Sequence, residues 1–366
     1  MKIIKKKLYE LSDYPMERMV NPADALFLDI ETTGFLASSS YLYLIGCASL
    51  EENRWVTCQW FAEKYEEEPL ILEAFREYVT SGKTLIHFNG TTFDLPFLEQ
   101  KCKRYQIPNP IQELQSIDLY RRIAPFRHLL KLPNCKQKTL EQFLGVARED
   151  LFDGGELIGL YHEYVKHPDS DLEEKLLLHN REDLQGMFSI LPALNYYDLF
   201  LSDVTTTKVQ ANYYRDLSGQ TRMELLMTLT LPVTLPKPVS ISGNDCYFMA
   251  ENKTGTLKVP VFEEELKYFY ANYKDYYYLP EEDVALHKSV GSFVDKEHRV
   301  QASASTCYTR KSSQYLPQWG LFKEPFFKRD YKSKELFFEL TEEFKRDRAA
   351  FSEYANHILA MLASLY

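Results

Sequence analysis

An apolar run that ends in two carboxylates leaves a chain few ways to fold. The run is Leu26-Phe27-Leu28-Asp29-Ile30-Glu31-Thr32-Thr33-Gly34. Ala25 to Ile30 is short and apolar, which suits a buried strand. Asp29 and Glu31 are two apart, so on an extended strand they share a face. Carboxylates are rarely buried without a partner. Something positive must compensate this pair, and two divalent cations meet that need. Hard cations such as Mg²⁺ take carboxylate oxygens as ligands.

Two further segments carry acids in matching settings. His87-Phe88-Asn89-Gly90-Thr91-Thr92-Phe93-Asp94-Leu95-Pro96-Phe97-Leu98 places Asp94 just inside the start of a helix expected over Thr92 to Tyr105. His179-Asn180-Arg181-Glu182-Asp183 lies in a helix expected over Asp171 to Leu191. There His179 and Asp183 are four apart and point off one face. Taken singly, each segment has a plainer explanation: an acid near a helix N-terminus, or a solvated i,i+4 pair. Their order, element types and spacing together are far more specific.

The surrounding pattern gives the architecture. Ala25 to Ile30, Tyr41 to Leu50 and Trp55 to Phe61 read as an antiparallel meander. Helical spacing follows over Glu66 to Val79, a short strand over Thr84 to Phe88, and then helices. Ser116 to Val146 reads as short helices broken at Pro133 and Gly145, with Lys138 to Gly145 as one compact helix. This is a mixed-sheet α/β domain, residues 20–200. The polar, Thr- and Ser-rich stretch Leu201 to Gln220 reads as a linker to an α+β domain, residues 220–366. In that domain Cys246 to Ala250 and Leu257 to Phe262 flank Asn252-Lys253-Thr254-Gly255, a hairpin signal. Pro280 to Val294 reads as helical, Ala302 to Arg310 as a strand, and Lys334 to Leu365 as one long helix with a single apolar stripe.

Composition sets outer limits. The chain has 366 residues, enough for two domains and a substantial core. Its formal net charge of −10 argues against a protein that coats nucleic acid non-specifically, though not against an enzyme acting on it. No apolar h-region follows the basic start and no run of about 18 apolar residues occurs, so neither a secretory signal nor a membrane span is expected. The 6 cysteines are scattered, which suits reduced thiols in the cytoplasm.

The three acidic segments resemble the DEDD exonucleases of the ribonuclease H-like superfamily, through Asp29 and Glu31 in Asp-Ile-Glu-Thr-Thr-Gly, Asp94 in Asn-x-x-x-Phe-Asp, and Asp183. Asn89 to Leu98 is also similar to the proofreading domains of polymerases. A nearer resemblance is to stand-alone bacterial proteins of the YprB-like type, through Lys138-Thr139-Leu140-Glu141-Gln142-Phe143-Leu144-Gly145 and Asp153-Gly154-Gly155. The likeness spans roughly Ala25 to Leu194. It implies a ribonuclease H-like mixed sheet flanked by helices and 3′–5′ hydrolysis of single-stranded nucleic acid, or of a free 3′ end, with two Mg²⁺ or Mn²⁺ ions. By the same resemblance Asp29 would bridge both metals. Glu31 and Asp183 would serve the metal that activates water, and Asp94 the second. In these relatives a Tyr with three intervening residues, or a His with four, precedes the last Asp. Here a His with three does, and His179 would position or deprotonate the nucleophile. An imidazole suits a general base near neutral pH.

Thr32, Asn89 and Phe93 are candidate substrate contacts, although Asn89 could equally serve its own turn. Asp118 fits a helix-start carboxylate better than a support for the site. Lys323, Lys328, Arg329, Lys332 and Lys334 lie among Trp319, Phe322, Phe326, Phe327 and Tyr331. Cations with aromatics can grip a single strand, but a solvated basic segment with its aromatics in a core is slightly favoured. Asp283, His287, His298 and Cys307 lack the tight spacing of a metal motif. The alternative to an enzyme is a nucleic-acid-binding or protein-interaction module on a nuclease-like fold.

Overall fold

A computed structural model of the chain describes residues 1–9, 12–150, 152 and 154–365. The chain divides into two compact units, Met1–Tyr197 and Asp198–Tyr366.

The first unit is a mixed six-stranded sheet with helices on both faces. Its strands are β1 (Lys2–Lys7), β2 (Ala25–Thr32), β3 (Leu42–Glu51), β4 (Arg54–Phe61), β5 (Thr84–His87) and β6 (Gln115–Asp118), in the order β1-β4-β3-β2-β5-β6. β2, β3 and β4 form the expected antiparallel meander, while β5 runs parallel to β2 and β6 parallel to β5. Two features departed from the sequence pattern. β1 precedes the expected start at residue 20 and pairs with β4. The start of the stretch read as short helices is the strand β6.

Alternation along β2 separates the two faces. Leu26, Leu28 and Ile30 join a core with Ile71, Leu72 and Phe75 of α1 (Glu68–Tyr78) and Phe97 and Leu98 of α2 (Asp94–Tyr105). Phe27 points the other way and packs at 4.0 Å against Phe188. After α3 (Leu119–Ile123), α4 (Gln137–Leu144) and α5 (Gly154–Lys166), Phe188 belongs to α6 (Ser170–Ile190). Gly145 ends α4 at φ +83, a left-handed cap that glycine adopts without strain. By the same alternation Asp29 and Glu31 share Phe27's face, toward α6. The boundary between the units falls within α7 (Leu194–Leu201).

The second unit is sheet-rich. The stretch read as a linker is instead β7 (Thr205–Arg215), paired along its length with β8 (Thr221–Gly243). β8 and β9 (Cys246–Phe269) form a long hairpin whose turn is Asn244-Asp245, at φ 50 and 61. The expected turn at Asn252 to Gly255 lies inside β9, where Asn252 sits at an irregularity opposite Leu235. β10 (Tyr276–Leu279), β11 (Val284–His287) and, after α8 (Lys288–Gly291), β12 (Val300–Gln301) make a small three-stranded sheet. Pro280 to Val294 is therefore mainly a strand and one helical turn, not a helix. β13 (Tyr308–Gln318), β14 (Phe326–Phe327) and β15 (Leu336–Glu339) complete the larger sheet in the order β14-β15-β13-β9-β8-β7.

The long helix expected over Lys334 to Leu365 is three elements. β15 comes first, then α9 (Glu342–Arg346) and α10 (Arg348–Ala363). Thr341 and Asp347 accept from the N–H groups of Phe344 and Ala350 and start each helix anew. All 6 cysteines are unpaired and buried. Among the described residues no helix is long and apolar enough to cross a membrane.

Candidate metal centre

The site lies at the end of β2, where three elements deliver acids by simple geometry. β5 pairs with β2 as far as Phe27, so the main chain beyond it is open on that side. The turn after β5 crosses there. It is held by Asp118, which accepts from the Asn89 N–H at 2.9 Å, the Thr91 hydroxyl at 2.8 Å and the Tyr120 N–H at 3.0 Å. Asn89 takes φ 60 within this turn, and its side chain accepts from the Thr92 hydroxyl at 3.1 Å. Asp94 opens α2, and its carboxylate receives the N–H of Ile30, the residue between Asp29 and Glu31.

From the α6 side come His179, Asn180 and Asp183. His179 Nε2 stands 3.3 Å from Asp183 Oδ2 and 3.9 Å from Glu31 Oε1. One ligand atom from each of Glu31, His179 and Asp183 lies within 4.8 Å of the others, close enough to hold one cation. Asp29 is the remaining member. Its Oδ2 accepts from Asn180 Nδ2 at 2.8 Å. Asn180 Oδ1 in turn accepts from Gln59 Nε2 at 2.9 Å, and Gln59 Nε2 also donates to the Leu177 carbonyl. Asp29, Gly46 and Gln59 are register partners on β2, β3 and β4, so they share a face. Gly46 makes room for Asn180, because a Cβ there would stand 2.0 Å from Asn180 Oδ1.

Electrostatics define the character of the site. Burial pushes the Asp29 carboxyl well above its ordinary range, and the charges of Asp183, Glu31 and Asp94 push it further, against the Asn180 hydrogen bond. Burial likewise raises Glu31, helped by Asp183, Asp94 and Asp150 and opposed by Lys138. Asp94 rises to about 7, chiefly through burial, although its own N–H and that of Ile30 pull it down. Raised proton affinity means that a cation binding here would compete with protons for these oxygens. A donor set of four carboxylates and one imidazole, mostly buried, with Asp183 half-buried, fits divalent metal.

Around the acids lies a strap centred on Arg148 and Asp150, neither of which the sequence singled out. Arg148 donates from Nη1 to Asp183 Oδ1 at 2.6 Å, from Nη2 to Glu141 Oε1 at 2.6 Å, and also from Nε to Glu141. Asp150 Oδ2 meets His179 Nδ1 at 2.7 Å and Lys138 Nζ at 3.2 Å. Glu182 accepts from the N–H groups of Glu149 and Asp150. Burial pushes Asp150 up, but His179, the Phe152 N–H and Lys138 outweigh it and hold its carboxyl below the usual range. Lys138 and Glu141 lie in the segment that carries the YprB-like resemblance and Glu182 in the third acidic segment, whereas Arg148 and Asp150 carried no sequence signal.

Asp29, Glu31, Asp94, His179 and Asp183 thus come together. Of the substrate-contact candidates, Asn89 is exposed and Thr32 and Phe93 are half-buried. The Thr32 hydroxyl donates to the Gly34 carbonyl at 2.9 Å, and Asn89 serves its own turn. Phe93 packs beside Phe35 and Phe97. Asp118 is both the N-cap of α3 and the anchor of the Asp94 turn. Asp153, part of the resemblance, lies outside the described residues. In the second unit, Asp283 is engaged by Tyr278, Tyr308 and Arg310, and His287 caps α8. Phe322 packs against Phe338 and Tyr354, Phe327 is buried, and Arg329 pairs with Glu264 and Glu335. The favoured reading of that basic stretch, with aromatics in a core, fits these contacts.

Residues 26–195 match the family model of the RNase_H superfamily, and this part of the chain is a ribonuclease H-like domain. The match stops short of the second unit. The uncharacterized protein YprB of Bacillus subtilis (strain 168) is 26% identical over 174 residues, covering 46% of this chain and 41% of that protein. The chain therefore spans well under half of that relative's length. Among solved structures, the family B DNA polymerase of Pyrobaculum calidifontis is 15% identical, with a TM-score of 0.40, over 49% of this chain and 26% of that one. E. coli exonuclease I in complex with a dT13 oligonucleotide is 12% identical, with a TM-score of 0.30, over 56% and 54%.

Proposed function

We propose that the ribonuclease H-like domain is a divalent-metal-dependent nuclease, acting as a 3′–5′ exonuclease on single-stranded nucleic acid or free 3′ ends. One observation carries this reading: three buried acids with raised proton affinity gather with Asp183 and His179 at the end of one strand. Such a cluster is unfavourable without cations, and its chemistry suits phosphodiester hydrolysis. Two bound cations would supply charge stabilisation for both the attacking and the leaving oxygen.

The chain's own part is to hold ligand atoms still. Asn180 fixes the Asp29 carboxylate, and the Ile30 N–H fixes Asp94. Arg148 takes Asp183 Oδ1, which leaves Oδ2 facing Glu31 and His179. In this reading Asp29, Glu31, Asp94 and Asp183 are the metal ligands, and Thr32, Asn89 and Phe93 border the path of the substrate.

The test is cleavage of end-labelled single-stranded DNA and RNA by wild type and Asp29→Ala, with Mn²⁺, Mg²⁺ or chelator. A ladder shortening from the 3′ end, lost with chelator and in the variant, is the expected result. Cleavage of neither polymer, with binding intact, would favour a nucleic-acid-binding module instead.

A further inference from the structure

His179 is set differently from a side chain that acts on water alone. Its side chain is 7% exposed, and Asp150 Oδ2 lies 2.7 Å from Nδ1. A carboxylate oxygen can only accept, so Nδ1 carries a proton, and a neutral ring then presents its lone pair at Nε2. Among the described residues, the hydrogen bond to this ring goes through Nδ1. Nε2 faces inward, 3.3 Å from Asp183 Oδ2 and 3.9 Å from Glu31 Oε1. Three electron-rich atoms therefore point at one small space. Two ligands each about 2.1 Å from one cation stand roughly 3.0–3.4 Å apart, at octahedral or tetrahedral angles. The His179–Asp183 separation falls in that span, and the Glu31 carboxylate needs a small rotation to meet it.

The other half of the arrangement is equally characteristic of ligation. Histidines that bind metal usually donate the second ring N–H to a carboxylate, which fixes the tautomer and raises the ligand's basicity. Asp150 does this here, and is itself held by Lys138 at 3.2 Å and by the Phe152 N–H at 3.1 Å. The i,i+4 spacing puts both ligands on one face of α6.

We propose that His179 Nε2 is a direct ligand of the cation held by Glu31 and Asp183, oriented by Asp150, so that this position selects a first-row transition cation such as Mn²⁺ over Mg²⁺. Imidazole nitrogen suits such cations, whereas Mg²⁺ prefers oxygen throughout. The inference rests on the metal-nuclease reading above, and it replaces the base role expected for His179 with coordination.

The experiment uses the full chain, stripped of metal and loaded with one equivalent of Mn²⁺. Pulsed electron paramagnetic resonance reads ¹⁴N coupling to the bound Mn²⁺, and calorimetry reads affinity. Wild type should show imidazole ¹⁴N modulation. His179→Gln should lose it while still binding Mg²⁺ nearly as before. Asp150→Ala should keep the coupling and weaken Mn²⁺ binding by about 10–100-fold, the usual effect of removing such a support. Tight Mn²⁺ binding by wild type without ¹⁴N coupling would overturn the ligand assignment and leave the metal-site reading standing. No Mn²⁺ binding by wild type, or binding that Asp183→Asn does not weaken, would overturn both.

Discussion

Asp29 shows how far the geometry of the candidate site depends on uncharged neighbours. Its carboxylate is held by Asn180, whose own position depends on the missing Cβ of Gly46. Gly46→Ala would force Asn180 aside, because the added carbon stands 2.0 Å from Oδ1. We expect a loss of about 1–3 kcal/mol, typical of overpacking, together with weakened Mn²⁺ binding. Denaturant unfolding and calorimetry on one preparation read both. Gly159→Ala is the control. It lies in α5 with nothing within 4 Å of the new carbon, and should instead stabilise by up to about 1 kcal/mol through helix propensity. Equal effects at the two positions would rule out the close-approach argument for Gly46.

At the scale of elements, caps, turns and buried pairs decide where the chain changes direction. Arg148 joins α4 to α6 through Glu141 and Asp183, and its side chain is 9% exposed against 2% for Glu141. Removing one partner of a buried ion pair typically costs about 3–5 kcal/mol. Arg148→Ala should lose an amount of that order in unfolding free energy, and Arg148→Met with Glu141→Leu should recover much of it. A single variant as stable as wild type would show that the strap contributes no rigidity. In the second unit, Asn244-Asp245 turns with both residues at positive φ, where Asn-Gly is preferred. Asp245→Gly should stabilise by up to about 1 kcal/mol, seen as a raised melting temperature. A lowered one would mean that the Asp245 side chain supports the turn.

For the molecule as a whole, the acidic cluster links folding to pH and, on the proposed reading, to cations. The Asp94 carboxyl lies at about 7 in the folded protein against 3.8 ordinarily, and Asp29 and Glu31 are raised in the same sense. Raised acids favour the protonated fold. The Asp94 contribution is complete below about pH 4 and is lost as pH rises through 7, and Asp29 and Glu31 act in the same direction. From these groups, metal-free protein should be less stable at pH 8 than at pH 6. A cation at 100 times its Kd adds about 2.7 kcal/mol, or roughly 5–10 °C at the usual scale, and one fixed concentration should add more at pH 8, where fewer protons compete. Thermal melts at both values, with and without Mn²⁺, check this, and a shift independent of pH would argue against carboxylate ligands. The sequence by itself determined the meander, the strand β5 and the helix carrying His179 and Asp183, because alternation and helical spacing are local, whereas the parallel pairing of β5 with β2 is a tertiary choice. It also marked the five side chains that meet at the site. It misplaced the hairpin turn, since Asn252 to Gly255 and Asn244-Asp245 carry similar local signals and pairing along β8 chose between them. It merged β15, α9 and α10, since pairing of Phe338 with Leu316 outweighs a helical stripe. Gly46, Asn180, Arg148 and Asp150 were decided by tertiary structure alone, because a hydrogen bond across 29 to 151 positions leaves no periodic trace in a chain.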